Sequence, residues 1–138
     1  MNILFFLKPK SEVNYIESSI TIRRALMKMQ AHTYTAIPII SEDGAYVGTI
    51  TEGDFLRYFK NITTGEPETD LGENVLNIPR SVSYNAVSIN ADIEDLISKV
   101  TNQNFVPVVD DDNKFIGIIT RREVIQYIYD KLKANQLL

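Results

Sequence analysis

Within this chain of 138 residues, the residues with the most chemical potential occur twice. Gly48-Thr49-Ile50-Thr51-Glu52-Gly53-Asp54 and Gly117-Ile118-Ile119-Thr120-Arg121-Arg122-Glu123 share the form Gly-x-x-Thr-x-x-acid. Where a strand gives way to a helix, this spacing supports two kinds of chemistry. In one, the Thr hydroxyl caps the helix and the acid three residues later reaches back to the cap amide, so orphan donors are satisfied without any ligand. In the other, the helix start turns free N–H groups and its positive dipole end toward a phosphate. The Thr hydroxyl then donates to a phosphate oxygen, and the carboxylate accepts both hydroxyls of a ribose. Arg121 and Arg122 add two guanidiniums able to neutralise a diphosphate or a phosphodiester pair, whereas Glu52 and Gly53 add repulsion or nothing.

The elements that must position these heptads are duplicated with them. Ile37-Pro38-Ile39-Ile40 aligns with Val106-Pro107-Val108-Val109, Pro38 and Pro107 standing 69 positions apart, and the register holds without a gap through Asp54 and Glu123. Thr21 and Asp92 read as N-caps, ahead of Ile22, Ala25, Leu26, Met29 and of Ile93, Leu96, Ile97, Val100, at the spacing of a half-buried helix. Residues 35–40 and 105–109 are continuous β-branched runs, as in strands covered on both faces. Turns ending at Gly44 and Asn113 lead to strands at 46–50 and 115–119, and Thr51 and Thr120 open second helices with apolar stripes. Short edge strands are expected at 13–16 and 86–89, so each copy reads β-α-β-β-α. Residues 61–77 hold Glu66, Glu68, Asp70 and Glu73 with no Lys or Arg, the composition of a solvated connector with room for one helical turn. The domains expected are therefore 1–60, the connector 61–77, and 78–138. Pro9-Lys10 and Pro79-Arg80 recur upstream of the two copies as paired lead-in segments.

Composition narrows the function classes. There is no Cys and a single His, His32, which removes thiol nucleophiles, Cys-based zinc sites and disulfide scaffolds and leaves no metal ligand set. The net charge of −4 gives no general attraction for nucleic acid or anionic lipid, so an anion site has to be local. No nucleophile–base pair is present, and no catalytic residue is expected. Residues 3–7 read as a strand, being too short and lacking the basic flank of a signal peptide, and no run approaches the length of a membrane span. A cytoplasmic protein is the default expectation. Asp110-Asp111-Asp112 aligns with the hairpin turn of the first copy and lacks the alternating ligand spacing of a calcium loop. Tyr58, Phe59, Tyr127 and Tyr129 lie on the second helices at helical spacing, which fits core or dimer packing.

The hydrophobic-Pro strand, the Gly-x-x-Thr-x-x-acid junction and the helix spacing, each present twice across about residues 13–129, resemble the CBS domain family, in the form of a stand-alone pair or Bateman module. The resemblance implies an α+β fold of tandem β-α-β-β-α CBS repeats packed sheet to sheet with pseudo-twofold symmetry, further association as a homodimer, and no enzymatic activity. It implies an adenine nucleotide as regulatory ligand, with no cofactor, and two non-equivalent sites that draw on both copies. The first nucleotide site takes Lys10, Val13, Tyr34, Thr35 and Ala36 with Thr120, Arg121, Arg122 and Glu123, the last replacing the family's more usual Asp. The second, weaker site takes Arg80, Ala86, Asn104 and Phe105 with Thr51 and Asp54. Thr35-Ala36, Ile78-Pro79-Arg80 and Thr120-Arg121-Arg122 resemble stand-alone CBS receptors for cyclic di-AMP, while AMP, ADP and ATP suit the same chemistry. The partners expected are this nucleotide, a second copy and a separate regulated protein, with neither nucleic acid nor membrane. The competing expectation is a ligand-free dimerisation module whose clefts are filled by side chains such as Tyr34 and Phe105.

Overall fold

In the computed structural model, which describes residues 2–32, 34–63, 71–81 and 84–138, the expected alternation is present twice. In chain order the elements are β1 (Lys8–Pro9), β2 (Ile16–Glu17), α1 (Ile22–His32), β3 (Ala36–Ile40), β4 (Tyr46–Thr51) and α2 (Glu52–Thr63), then β5 (Val87–Ser88), α3 (Ile93–Val100), β6 (Phe105–Val109), β7 (Phe115–Thr120) and α4 (Arg121–Ala134). The chain divides into two compact units. One is Asn14–Ser83, and the other joins Met1–Val13 to Tyr84–Leu138.

In the unit Asn14–Ser83 the strands lie in the order β2-β3-β4, β2 parallel to β3 and β3 antiparallel to β4. Ile37, Ile39 and Ile40 are buried, as a continuous β-branched run requires of a covered strand. Ile37 and Ile39 meet Ile22, Ala25 and Met29 of α1 and Phe55 of α2 in one core. The hairpin turns through Gly44 at φ 91, and its counterpart turns through Asn113 at φ 62, two residue types that tolerate the left-handed region.

Residues 71–77 of the expected connector are built into this unit. Ile22 N–H donates to the Glu73 carbonyl at 2.8 Å and Arg23 N–H to that of Leu71 at 2.9 Å, so the segment satisfies the first amides of α1. Val75, in the 3-10 turn Val75–Asn77, is fully buried in the core. Apolar Leu71, Val75 and Ile78 explain why this stretch packs despite its acidic neighbours. Residues 64–70, which carry Glu66, Glu68 and Asp70, lie outside the described residues.

The other unit has the order β1-β7-β6-β5. Its core is Ile3, Val87, Leu96, Val100, Val106, Val108, Ile119 and Val124. Here the lead-in of the first copy pairs with a strand of the second, Lys8 opposite Ile118 and Pro9 opposite Gly117. Gly117 permits this approach, because a Cβ there would fall 2.2 Å from the Lys8 carbonyl oxygen. The second lead-in behaves likewise in the unit Asn14–Ser83, where Arg80 Nε lies 3.4 Å from where a Cβ on Gly48 would stand. Each Pro-base segment is thus packed on the other copy's glycine.

Residues 3–7 do not form the expected strand. Ile3–Phe6 is a 3-10 turn capped by the Asn2 side chain, with Leu7 N–H donating to the Leu4 carbonyl at 3.1 Å. Ile3 is buried while Phe5 is 85% exposed, a one-sided burial that a single turn accommodates. The edge strands are shorter than expected, Ile16–Glu17 and Val87–Ser88, and Val13 instead closes the 3-10 turn Lys10–Glu12.

Candidate functional site

Both strand-to-helix junctions share a backbone plan. The first amide of each second helix donates to the residue ahead of the facing strand, Glu52 N–H to the Thr35 carbonyl and Arg121 N–H to that of Asn104, each at 2.9 Å. Thr51 and Thr120 occupy the cap positions, accepting from Asp54 N–H at 3.2 Å and from Glu123 N–H at 3.3 Å. Beyond this the junctions diverge.

At the first-copy junction the box is closed. Asp54 returns a bond to the cap, Thr51 N–H donating to Oδ2 at 2.9 Å, and its Oδ1 accepts from Arg57 Nη2 at 2.7 Å, Ser81 N–H at 3.1 Å and Ser81 Oγ at 3.4 Å. The residue is completely buried. Burial alone would raise its carboxyl pKa, but the bonds from Thr51, Ser81 and Arg57 hold it below the ordinary value.

At the second-copy junction the acid is open. Glu123 and Arg122 are exposed, and among the described residues no hydrogen bond or ion pair engages either side chain. Arg121 is half-buried and anchored through Nε, which donates to the Val100 carbonyl at 2.8 Å and the Gln103 carbonyl at 3.1 Å. Arg121 and Arg122 line the head of a hollow of about 660 Å³ that continues along α4 past Ile125, Gln126 and Tyr129. One guanidinium is thus held at a fixed root and the next is unengaged, beside a carboxylate with its acceptors available.

The remaining expected residues fall as follows. Lys10 and Val13 share the unit of Thr120, Arg121, Arg122 and Glu123, and Tyr34, Thr35 and Ala36 belong to Asn14–Ser83. Tyr34 accepts a bond from Asn14 Nδ2, stacks on His32 with ring centroids 5.5 Å apart, and lines a hollow of about 400 Å³ with Leu26, Met29, Gln30, Glu52 and Phe55. Of the second set, Arg80, Thr51 and Asp54 lie in Asn14–Ser83, and Ala86, Asn104 and Phe105 in the other unit. The Phe105 side chain is buried against Tyr84, centroids 5.0 Å apart. The three-Asp run is a turn, Asp110 Oδ1 accepting from Asp112 N–H and Lys114 N–H at 2.9 Å each. Among the described residues no cluster of His, Cys, Asp or Glu is arranged to hold a metal ion, and no helix is long and apolar enough to cross a membrane.

Sequence reasoning passed over three residues at these junctions. Gln103 is buried, its amide exchanging bonds with Asn85 N–H at 3.0 Å and the Asn85 carbonyl at 3.1 Å and donating to the Phe105 carbonyl at 3.1 Å. It aligns with Tyr34, and Asn85 with Asn14, so the same lead-to-strand clamp is made twice by different chemistry. Arg57 and Ser81, which fill Asp54, carry no motif signal.

Two α+β units of one plan, each with a proline in its covered strand and a Thr-capped second helix, define a tandem-repeat class of protein. The sequence pattern of the CBS domain matches residues 7–61 and 78–130, and the chain belongs to the CBS domain family. Among curated relatives it is 29% identical over 129 residues to the uncharacterized protein MJ1225 of Methanocaldococcus jannaschii, covering 86% of this chain and 46% of that one. The chain spans about half the length of the first curated relatives it matches. Among solved structures it is similar to CbpB in complex with c-di-AMP, with a TM-score of 0.81 at 21% identity, covering 99% of this chain and 89% of that one. It is also similar to CBSX2 in complex with AMP, with a TM-score of 0.69 at 25% identity, covering 91% and 94%.

Proposed function

We propose that the chain is a non-catalytic regulatory module that binds an adenine nucleotide at the second-copy junction and signals to a separate partner protein. The observation that carries this reading is the contrast at the helix starts: Glu123 and Arg122 stand open beside an anchored Arg121, where the equivalent first-copy acid is consumed. Thr120 and the guanidiniums take the phosphate side and Glu123 the ribose, with Lys10 and Val13 of the same unit completing the set. CbpB and CBSX2 were solved with c-di-AMP and AMP, which share the adenine–ribose–phosphate unit this set would recognise. Ligand binding regulates only by favouring one arrangement of the protein that a partner distinguishes.

Calorimetric titration with AMP, ATP and cyclic di-AMP tests the reading. At least one should bind, and selective binding to the folded state should also raise the melting temperature. The double variant Arg121→Ala/Arg122→Ala should weaken binding by at least about tenfold and flatten its salt dependence, since it removes charge-assisted bonds. Unchanged affinity and salt slope would remove both arginines from the site.

A second reading is favoured by the outer face of α4, where Ile125 is 53% and Tyr129 47% exposed, and by Leu56 of α2 at 61%. Such residues suit packing against a second copy. A chain that binds none of the nucleotides but sediments as a dimer would leave a dimerisation module.

A further inference from the structure

An ionised carboxylate has two oxygens with about four lone-pair sites. Asp54 accepts from four donors: Thr51 N–H, Ser81 N–H, Ser81 Oγ and Arg57 Nη2. Three of these donors meet Oδ1 and one meets Oδ2, so a ribose that brought two further hydroxyls would find a single acceptor site, on Oδ2. The geometry points to Arg57 and Ser81 as an intramolecular latch that takes the place of ribose on Asp54, so that the chain binds one nucleotide, at the second-copy junction, until the latch is released. The inference rests on the nucleotide reading given above.

Three features build the latch at the first copy, of which Gly53 and Arg57 set that copy apart, since Ser11 holds the place of Ser81 in the other lead-in. Ser81 comes from the lead-in that packs against Gly48 and reaches Asp54 with both its amide and its hydroxyl. Gly53 leaves room for the Arg57 guanidinium over the first turn of α2, since a Cβ there would lie 3.1 Å from Nη1. The second copy has Arg122 in the place of Gly53 and Gln126 in that of Arg57, and Gln126 bonds forward to Asp130 at 2.9 Å instead of back to Glu123. The latch is reachable, for Arg57 and Ser81 line a hollow of about 590 Å³ with Arg80, Asn61 and Asn77, and the Arg57 side chain is 52% exposed. Space remains for a ligand beside it. What is missing is acceptor capacity for two hydroxyls, since Oδ1 already meets three donors and Oδ2 has only the site beside Thr51 N–H left.

The test is the stoichiometry of AMP and of cyclic di-AMP in calorimetry. The wild-type chain should show a single class with one ligand molecule per chain, and Arg57→Ala/Ser81→Ala should add a second, weaker binding event. In the latched chain, Arg121→Ala/Arg122→Ala should remove at least nine-tenths of the binding heat. That measurement does not depend on the latch variant folding. Two sites in the wild type, half the heat surviving in Arg121→Ala/Arg122→Ala, or no second event in a folded Arg57→Ala/Ser81→Ala would each overturn the latch alone. A wild-type chain that binds neither ligand overturns the nucleotide reading and the latch with it.

Discussion

At Asp54 burial and hydrogen bonding push the carboxyl in opposite directions, and the bonds from Thr51, Ser81 and Arg57 prevail. Its folded pKa therefore lies below its unfolded one. The stabilisation is complete above the ordinary carboxylate range of about 4 and is lost as pH falls through the depressed value. Thermal melts from about pH 6 down to pH 3 should show the wild type losing more Tm than Asp54→Asn, which carries no titrating group there; parallel curves would mean that the ionised form gains nothing from its donors. Gln103 makes a neutral counterpart in the other unit. Gln103→Leu keeps the bulk but strands the Asn85 amide and carbonyl and the Phe105 carbonyl, at a cost of about 2–3 kcal/mol by urea denaturation. The same variant should weaken nucleotide binding beyond its effect on folding, because the main chain of Gln103 holds Arg121 Nε.

Among the elements, the lead-in segments separate two glycines that look alike in the repeat. Gly117→Ala drives a Cβ to 2.2 Å from the Lys8 carbonyl and to 2.9 Å from a Leu7 methyl, so β1 must lift from β7. A loss of about 2 kcal/mol or more in a urea midpoint is expected, against under about 1 kcal/mol for Gly48→Ala, whose Cβ meets only the Arg80 side chain at 3.4 Å. Equal costs would show that β1 is easily displaced. The contrast also marks what could be read in advance. The helices, the hairpins and the Thr caps follow from short-range periodicity and turn chemistry, and Ile37, Ile39 and Val106 take their buried places from it. The destination of Lys8–Pro9 does not, because pairing with Gly117 is decided more than a hundred residues away. The difference between Asp54 and Glu123 was hidden because the two heptads read alike, and what separates them lies beyond the heptads: Arg57 bonds back to Asp54 where Gln126 bonds forward to Asp130, and Ser81 reaches Asp54 from 27 positions away. The 3-10 turn Ile3–Phe6 was missed because an apolar run of that length does not reveal its period.

For the whole molecule, the unit that holds the open junction depends on residues at the far end of the chain. Ile3 is completely buried in the core that also holds Val106, Val108, Ile119 and Val124. Ile3→Ala should cost about 2–4 kcal/mol as a cavity in that core. Hydrogen exchange should report the loss in β6 and β7 while β3 and β4 keep their protection; equal loosening of both would show that the units unfold together. Cutting the chain at residue 77, where the repeats divide by sequence, would leave neither half whole. The piece 1–77 would lose Ser81 from Asp54 and Arg80 from Gly48, and 78–138 would lack Ile3 and β1. Two such fragments become complete only by reassociation, which makes the duplicated protein a natural starting point for split-chain complementation.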